Sequence, residues 1–285
     1  MRKIAITSLL IIMLIIPSFI SSAVATDTIK STINFDDDVP IWNVGDSWTF
    51  SISDFWVNYS FGDLSIIMNG KIDDFKWTVT EVSTTSYKVE ITGKVTTSFE
   101  AAFPVGESVI NLEGDIKPSL NKITGTIIFT KSNLEIEDFS AIIKGIAKLA
   151  IQPIPIKLPI PIRISANALL STVFPLFNFP LHILKFWNLP EMDIKMNTNF
   201  GGIFGLIKFP ITFSTHYSWT PLAFTCLIME SVTVAAGTYD AWKIQSIIGD
   251  FFEYYYAPAV GNLVKFDVNM PQGGIHGELI DTNYA

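Results

Sequence analysis

The sequence predicts a mainly β protein: one large curved antiparallel sheet or incomplete barrel, with one or two helices in a central apolar crossover. Three observations carry this. Short segments that alternate apolar and polar residues recur in both halves of the chain, the period that gives a strand one buried and one wet face. Gly, Pro and Ser/Thr clusters separate them at hairpin spacing. Between the halves, residues 139–190 hold no Asp or Glu yet keep Lys144, Lys148, Lys157, Arg163 and Lys185, although the whole chain has a formal net charge of −8.

Taken in order, Met1-Arg2-Lys3 precedes an apolar run, 4–20, that leads to Ser22-Ala23-Val24-Ala25. Basic residues, an apolar stretch and small residues in A-x-A spacing read as a secretory signal peptide cut after Ala25. An uncleaved membrane anchor is the alternative, because the run approaches the roughly 20 apolar residues that span a bilayer. Residues 26–285 are then expected to form a single extracytoplasmic domain, secreted or associated with the cell envelope. Ser47-Trp48-Thr49-Phe50-Ser51-Ile52 alternates as a strand. Residues 76–82 and 87–95 do the same around Ser83-Thr84-Thr85-Ser86, an antiparallel hairpin.

Further strands are expected near 107–115 and 122–137. Asp138 stands where it would cap a helix over 139–150, on which Phe139, Ile142, Ile143, Ile146 and Leu149 recur at helical spacing. Pro153, Pro155, Pro159 and Pro161 then call for an extended chain outside any ladder, and 166–174 reads as a second helix ended by Pro175. Strands resume over 211–219, 224–235 and 239–248, the last two joined at Ala236-Gly237. Two more, 251–256 and 263–268, are joined by a turn containing Pro258 and Gly261.

Four motifs follow one another: Trp42-Asn43-Val44-Gly45-Asp46-Ser47-Trp48-Thr49-Phe50; Phe179-Pro180-Leu181 with Trp187; Val232-Thr233-Val234-Ala235-Ala236-Gly237-Thr238-Tyr239-Asp240-Ala241-Trp242; and Tyr256-Ala257-Pro258-Ala259-Val260-Gly261 with Val264-Lys265. In this order they resemble a family of uncharacterised exported prokaryotic proteins whose domain is related to the lipoprotein-carrier fold, an incomplete antiparallel β-barrel curled around helices. Leu184 stands where that family tends to carry glycine, and the apolar 139–190 segment is longer than the family pattern. The resemblance implies an extracytoplasmic role and no known catalytic residues. Carrier-fold proteins hold acyl chains on the concave side of the sheet, so it also implies lipid binding, at the level of fold alone.

Composition and motifs narrow the function further. The negative charge argues against nucleic acid as a partner. Cys226 is the only cysteine, so no intramolecular disulfide forms, and its apolar neighbours read it as a buried structural thiol. Gly45-Asp46-Ser47-Trp48 is similar to the Gly-Asp-Ser block of one esterase class, but it precedes a strand rather than a helix. None of His182, His216 and His276 has Asp three residues before it, and no Gly-x-Ser-x-Gly elbow is present. A turn held by Asp46 fits better. The histidines lack metal-ligand spacing, and Asp36-Asp37-Asp38 reads as an exposed acidic leader rather than a calcium loop. No metal, no cofactor and no enzymatic activity are expected. Asn58-Tyr59-Ser60 is the one glycosylation sequon.

Apolar recognition remains. Seven Trp, eight Tyr and 22 Phe must mostly be core, yet residues 251–256 put aromatics on both faces of one strand. A helix or crossover covers the second face, or it is an exposed binding patch. The expected function is binding of an apolar ligand, a lipid or lipid-linked carrier, between the sheet and the 139–190 segment. Ile142, Ile146, Leu149, Phe174, Phe177, Trp187, Tyr254 and Tyr256 are the candidate contacts. Lys144, Lys148, Lys157, Arg163 and Lys185, interleaved with apolar residues, are candidates for contact with a membrane surface. The alternative is a structural or adhesive cell-envelope protein whose interior is filled by its own side chains.

Overall fold

The computed structural model describes residues 39–61, 64–105, 108–116, 122–151, 157–189, 193–200, 211–218, 222–247 and 251–284. The expected signal peptide with Ala25, the acidic leader Asp36-Asp37-Asp38, and Pro153 and Pro155 lie outside the described residues.

Among the described residues fifteen strands form one antiparallel sheet. They are β1 (Ser47–Phe61), β2 (Leu64–Val82), β3 (Ser86–Val105), β4 (Ser108–Ile116), β5 (Lys122–Thr130), β6 (Ile136–Ile151), β7 (Lys157–Phe174) and β8 (Phe186–Leu189). The remainder are β9 (Asp193–Phe200), β10 (Ile211–Ser218), β11 (Leu222–Val234), β12 (Gly237–Ser246), β13 (Phe252–Ala257), β14 (Asn262–Met270) and β15 (Gly273–Thr282). β1 pairs with β2 on one side and β15 on the other, so the first and last strands are neighbours. From there the sheet runs through β2, β3, β4, β6, β7, β9 and β10 in one direction, and through β15, β14, β13, β12, β11 and β8 in the other. It curls into a nearly closed barrel with an unsealed seam.

One slot in this order is shared. β4 pairs with the second half of β3 and the end of β6, while β5 pairs with the first half of β3 and the start of β6. The two are one interrupted strand lying end to end between the same neighbours. Alternation decides which way each strand faces: Tyr87, Val89, Ile91 and Val95 of β3 are buried, whereas Glu90, Thr92 and Lys94 are exposed. Phe266 lies directly opposite Gly277, its ring filling the space a Cβ would take.

The central segment corrects the sequence reading. Residues 139–150 and 166–174, expected as helices, are parts of β6 and β7, which pair with each other along most of their length. Phe139, Ala141 and Ile143 are buried while Asp138, Lys144 and Ile146 are exposed, a period of two. Isoleucine on both faces satisfies helical and strand spacing alike. β-Branching and the ladders available on both sides, from β5 and β7, favour the strand. Asp138 is therefore an exposed strand residue and caps nothing.

Pro159 and Pro161, expected outside any ladder, lie within β7 opposite Lys148 and Ile146. Spaced by two, they turn their missing N–H groups to one side of the strand and leave the other side's hydrogen bonds intact. Among the described residues the only helical turn is the 3₁₀ segment Pro258–Val260, and no helix is long and apolar enough to cross a membrane. The mainly β class and the curved sheet stand without the helices.

Candidate functional site

Between β7 and β8 the chain leaves the order of the sheet. Residues 175–185 cross over to bring β8 beside β11, with Phe177, Phe179 and Leu181 buried and Pro180, His182, Ile183 and Leu184 exposed, and several bonds hold them there. The Tyr254 hydroxyl donates to the Leu176 carbonyl at 2.7 Å, and Trp187 Nε1 donates to the Pro175 carbonyl at 3.2 Å. The Leu184 N–H bonds the Cys226 carbonyl at 2.8 Å, and the Cys226 N–H returns a bond to Lys185 at 2.7 Å. Phe177 and Phe179 both pack against Tyr256, with ring centroids 5.0 and 5.3 Å apart. Burying such rings stabilises the crossing by roughly 1.5–3 kcal/mol each.

Under the crossing is a partly open cleft of about 80 Å³, lined by Trp77, Ile136, Phe174, Leu176, Phe224, Tyr254 and Phe266 among other apolar side chains. Its side chains bring only two polar groups. The Tyr254 hydroxyl is committed to Leu176, and burial pushes its pKa well above the usual phenol value, so it stays a neutral donor. Trp77 Nε1 is buried without a hydrogen-bond partner among the described residues, which costs about 1–3 kcal/mol. The surface that the cleft presents is therefore apolar. At about 80 Å³ it is smaller than the roughly 300 Å³ of an ordinary ligand pocket and than the ~150 Å³ cavity that admits benzene.

The fold brings five of the eight candidate contacts together. Phe174 and Tyr254 line the cleft, Phe177 and Tyr256 pack behind it, and Trp187 stacks on its wall residue Phe224 at 5.8 Å. Ile142 and Ile146 sit elsewhere, on the outer face of β6, half-buried and exposed. Leu149 is placed by its backbone opposite Leu158 and Gly114. β6 is thus barrel wall, and only the part of the segment after Phe174 roofs the interior. Trp77, Phe224 and Phe266 were missed: strand alternation marks them as inward, but nothing local says they meet at one end of the barrel.

The basic candidates also separate. Lys144 is exposed on β6, and Lys148, Lys157 and Arg163 take backbone positions in β6 and β7. Lys185 is half-buried, with Nζ donating to the Pro180 carbonyl at 2.7 Å, and burial lowers its pKa. It ties the crossing and does not join the others. Tyr255, on the second face of β13, is buried all the same: its hydroxyl donates to Glu253 at 2.8 Å and the Lys243 ammonium lies 5.6 Å over its ring, and among the described residues no helix covers that face.

Other sequence candidates resolve simply. Asp46 accepts the Asn43 N–H at 2.6 Å in a turn, and Ser47, buried, begins β1 bonded to Asn283. Cys226 is buried in β11 opposite Ile244. Asn58 is exposed, in a strand rather than a loop. Among the described residues no group of three or more His, Cys, Asp or Glu is arranged to hold a metal ion. In comparisons with protein-family models, curated proteins and solved structures, no match to the chain is found.

Proposed function

We propose that this is a non-enzymatic extracytoplasmic protein that binds an apolar ligand, a lipid or lipid-linked carrier, by taking one end of its chain into the cleft beneath the 175–185 crossing. The observation that carries the reading is the cleft itself: a partly open, apolar-walled space at the foot of a closely packed aromatic core. Apolar surface left open to water is unfavourable by about 25 cal/mol per Å², so an apolar occupant gains by covering it. The sequence offers no nucleophile paired with a base, which supports a binding rather than a catalytic role.

One observation favours the second reading, a structural or adhesive cell-envelope protein. The cleft's volume is below that of ordinary ligand pockets, so a longer chain needs the crossing to move. Mass spectrometry of organic extracts of the purified full chain separates the two. A stoichiometric lipid, or saturable uptake of an added one, is expected. No bound lipid and no uptake would leave the scaffold as the better account.

A further inference from the structure

The outer face of the barrel carries a row of charges whose sign reverses around the circumference. Along cross-strand neighbours, Glu253 stands opposite Asp267, Asp267 opposite His276, and His276 opposite Asp54. Beyond the shifted β1–β2 register, Asp73 stands opposite Lys94, Lys94 opposite Lys122, Lys122 opposite Lys144, and Lys144 opposite Arg163. At about 4.8 Å per strand the four cationic positions span roughly 14 Å. Like charges directly opposite each other destabilise a sheet. Asp74 offsets Lys94 with an ion pair at 2.5 Å, but Lys122 and Lys144 are exposed with no ion-pair partner among the described residues.

We propose that this face, over β5, β6 and β7, docks on an anionic phospholipid surface, with the Lys122, Lys144 and Arg163 positions over the headgroups. Charge complementarity is the first reason: the row concentrates cations on a chain whose net charge is −8. The flanking residues select a lipid surface over a soluble polyanion. Ile142 and Ile146 lie either side of Lys144 on the same outer face, and Ile146 is 40% exposed. Apolar side chains gain at the headgroup boundary and gain nothing from a polyanion in solution. On the acidic half of the row, by contrast, Glu253 is paired with Lys243 and Asp73 with Lys71, so much of its charge is compensated and the uncompensated charge lies at the Lys122 and Lys144 positions. Docking of this kind goes beyond cleft binding and does not depend on it. It also redraws the membrane-facing set: Lys122 joins, and Lys185, bonded inside the crossing, leaves.

Co-sedimentation of the full chain with phosphatidylcholine vesicles, with and without phosphatidylglycerol, tests the proposal. Arg2 and Lys3 ahead of the apolar N-terminal run also sense headgroup charge, but they contribute alike to the parent and to K122Q/K144Q, so the share of the row is read from the difference between those two chains. Phosphatidylglycerol is expected to tighten binding. K122Q/K144Q weakens that gain about thirtyfold, at about fivefold per cation near a charged surface. The gain also vanishes near 1 M salt, where charges are screened beyond about 3 Å. K76Q, an exposed lysine off the row, leaves it unchanged. Neutralising two opposed lysines relieves repulsion, so the double variant melts at or above the parent temperature, which separates lost docking from lost folding. Should it melt lower, the single variants K122Q and K144Q take its place, each expected to weaken the gain about fivefold. Equal binding to both vesicle types, or a gain that salt leaves intact, overturns the proposal. So does a gain that survives in a folded K122Q/K144Q. Binding to soluble polyphosphate as tight as to phosphatidylglycerol vesicles also overturns it, assigning the row to polyanions in solution.

Discussion

The Trp48 indole N–H donates to the Val260 carbonyl at 2.6 Å, across 212 residues of chain. Trp42 makes the parallel bond to Gly261 at 2.9 Å, and the two indoles lie 4.9 Å apart. Together they fasten the start of β1 to the β13–β14 connection. Trp48→Phe removes one donor, leaves a buried carbonyl unpaired at about 1–3 kcal/mol, and empties part of the ring's volume. A total loss of about 2–4 kcal/mol is expected in chemical denaturation, as a lower midpoint with an unchanged slope. A loss under about 0.5 kcal/mol would mean the clasp contributes little.

Gly261, whose carbonyl Trp42 uses, sits at φ 59°, the left-handed region. Gly261→Ala costs about 1–2 kcal/mol for that conformation alone. An added Cβ would also lie 2.6 Å from Cζ of Tyr284. Repeating the substitution in a Tyr284→Ala background relieves only the steric part. The conformational loss of about 1–2 kcal/mol should persist in a double-mutant cycle, and full rescue would contradict it.

Leu184 presents the converse. It adopts φ 62° and is 70% exposed, so the left-handed backbone is strained and little packing offsets it. Leu184→Gly is expected to raise stability by about 1 kcal/mol, part of the relief being returned as unfolded-chain entropy. Thermal unfolding checks the sign, and a clear decrease would show that Leu184 packs more than its exposure suggests.

Such local features were legible in sequence to different degrees. The 76–82/87–95 hairpin was readable because one of its faces alternates cleanly with polar residues across a Ser/Thr turn, and the 251–268 meander because two short runs of strand-forming residues flank a turn that carries Pro258 and Gly261. β6 was not, since Ile142, Ile143 and Ile146 satisfy two periods at once, and only pairing with β5 and β7 resolves them. The aromatic half of the site was legible as side chains, Phe174, Phe177, Trp187, Tyr254 and Tyr256, because large rings in a mainly β chain converge on its interior. Their partner Trp77 was not, because its role depends on closure of the barrel, a long-range property. The Lys122–Lys144–Arg163 row likewise needs register across three strands.

Glu253 allows a test by pH. Burial alone would raise its pKa, but hydrogen bonds from Lys243 at 2.7 Å and Tyr255 at 2.8 Å, with the Lys243 and Lys265 charges, outweigh that and hold it low. A carboxylate depressed in the folded state contributes stability above its unfolded value, near 4.5, and loses it as pH falls through the folded value. Glu253→Gln should therefore flatten the stability profile below pH about 4.5 relative to the parent. The pair is partly exposed, so the difference stays below about 1 kcal/mol and shrinks with salt. Parallel profiles for parent and variant would show that the network has no net effect.

Filling the cleft distinguishes a ligand site from a packing defect. Val268 lines it on β14 and is only half-buried, so a larger side chain there can turn into the open space. If about 80 Å³ is empty in the free protein, Val268→Phe fills it and stabilises the fold by about 0.5–2 kcal/mol, as cavity-filling substitutions commonly do. The same ring removes the room a chain end needs, so lipid recovered from the parent should be absent from a more stable variant. Stability and binding then move in opposite directions, which a general folding defect cannot produce. A variant destabilised by about 1–3 kcal/mol would show that the walls are already close-packed. A stabilised variant that keeps its lipid would place the ligand elsewhere on the barrel.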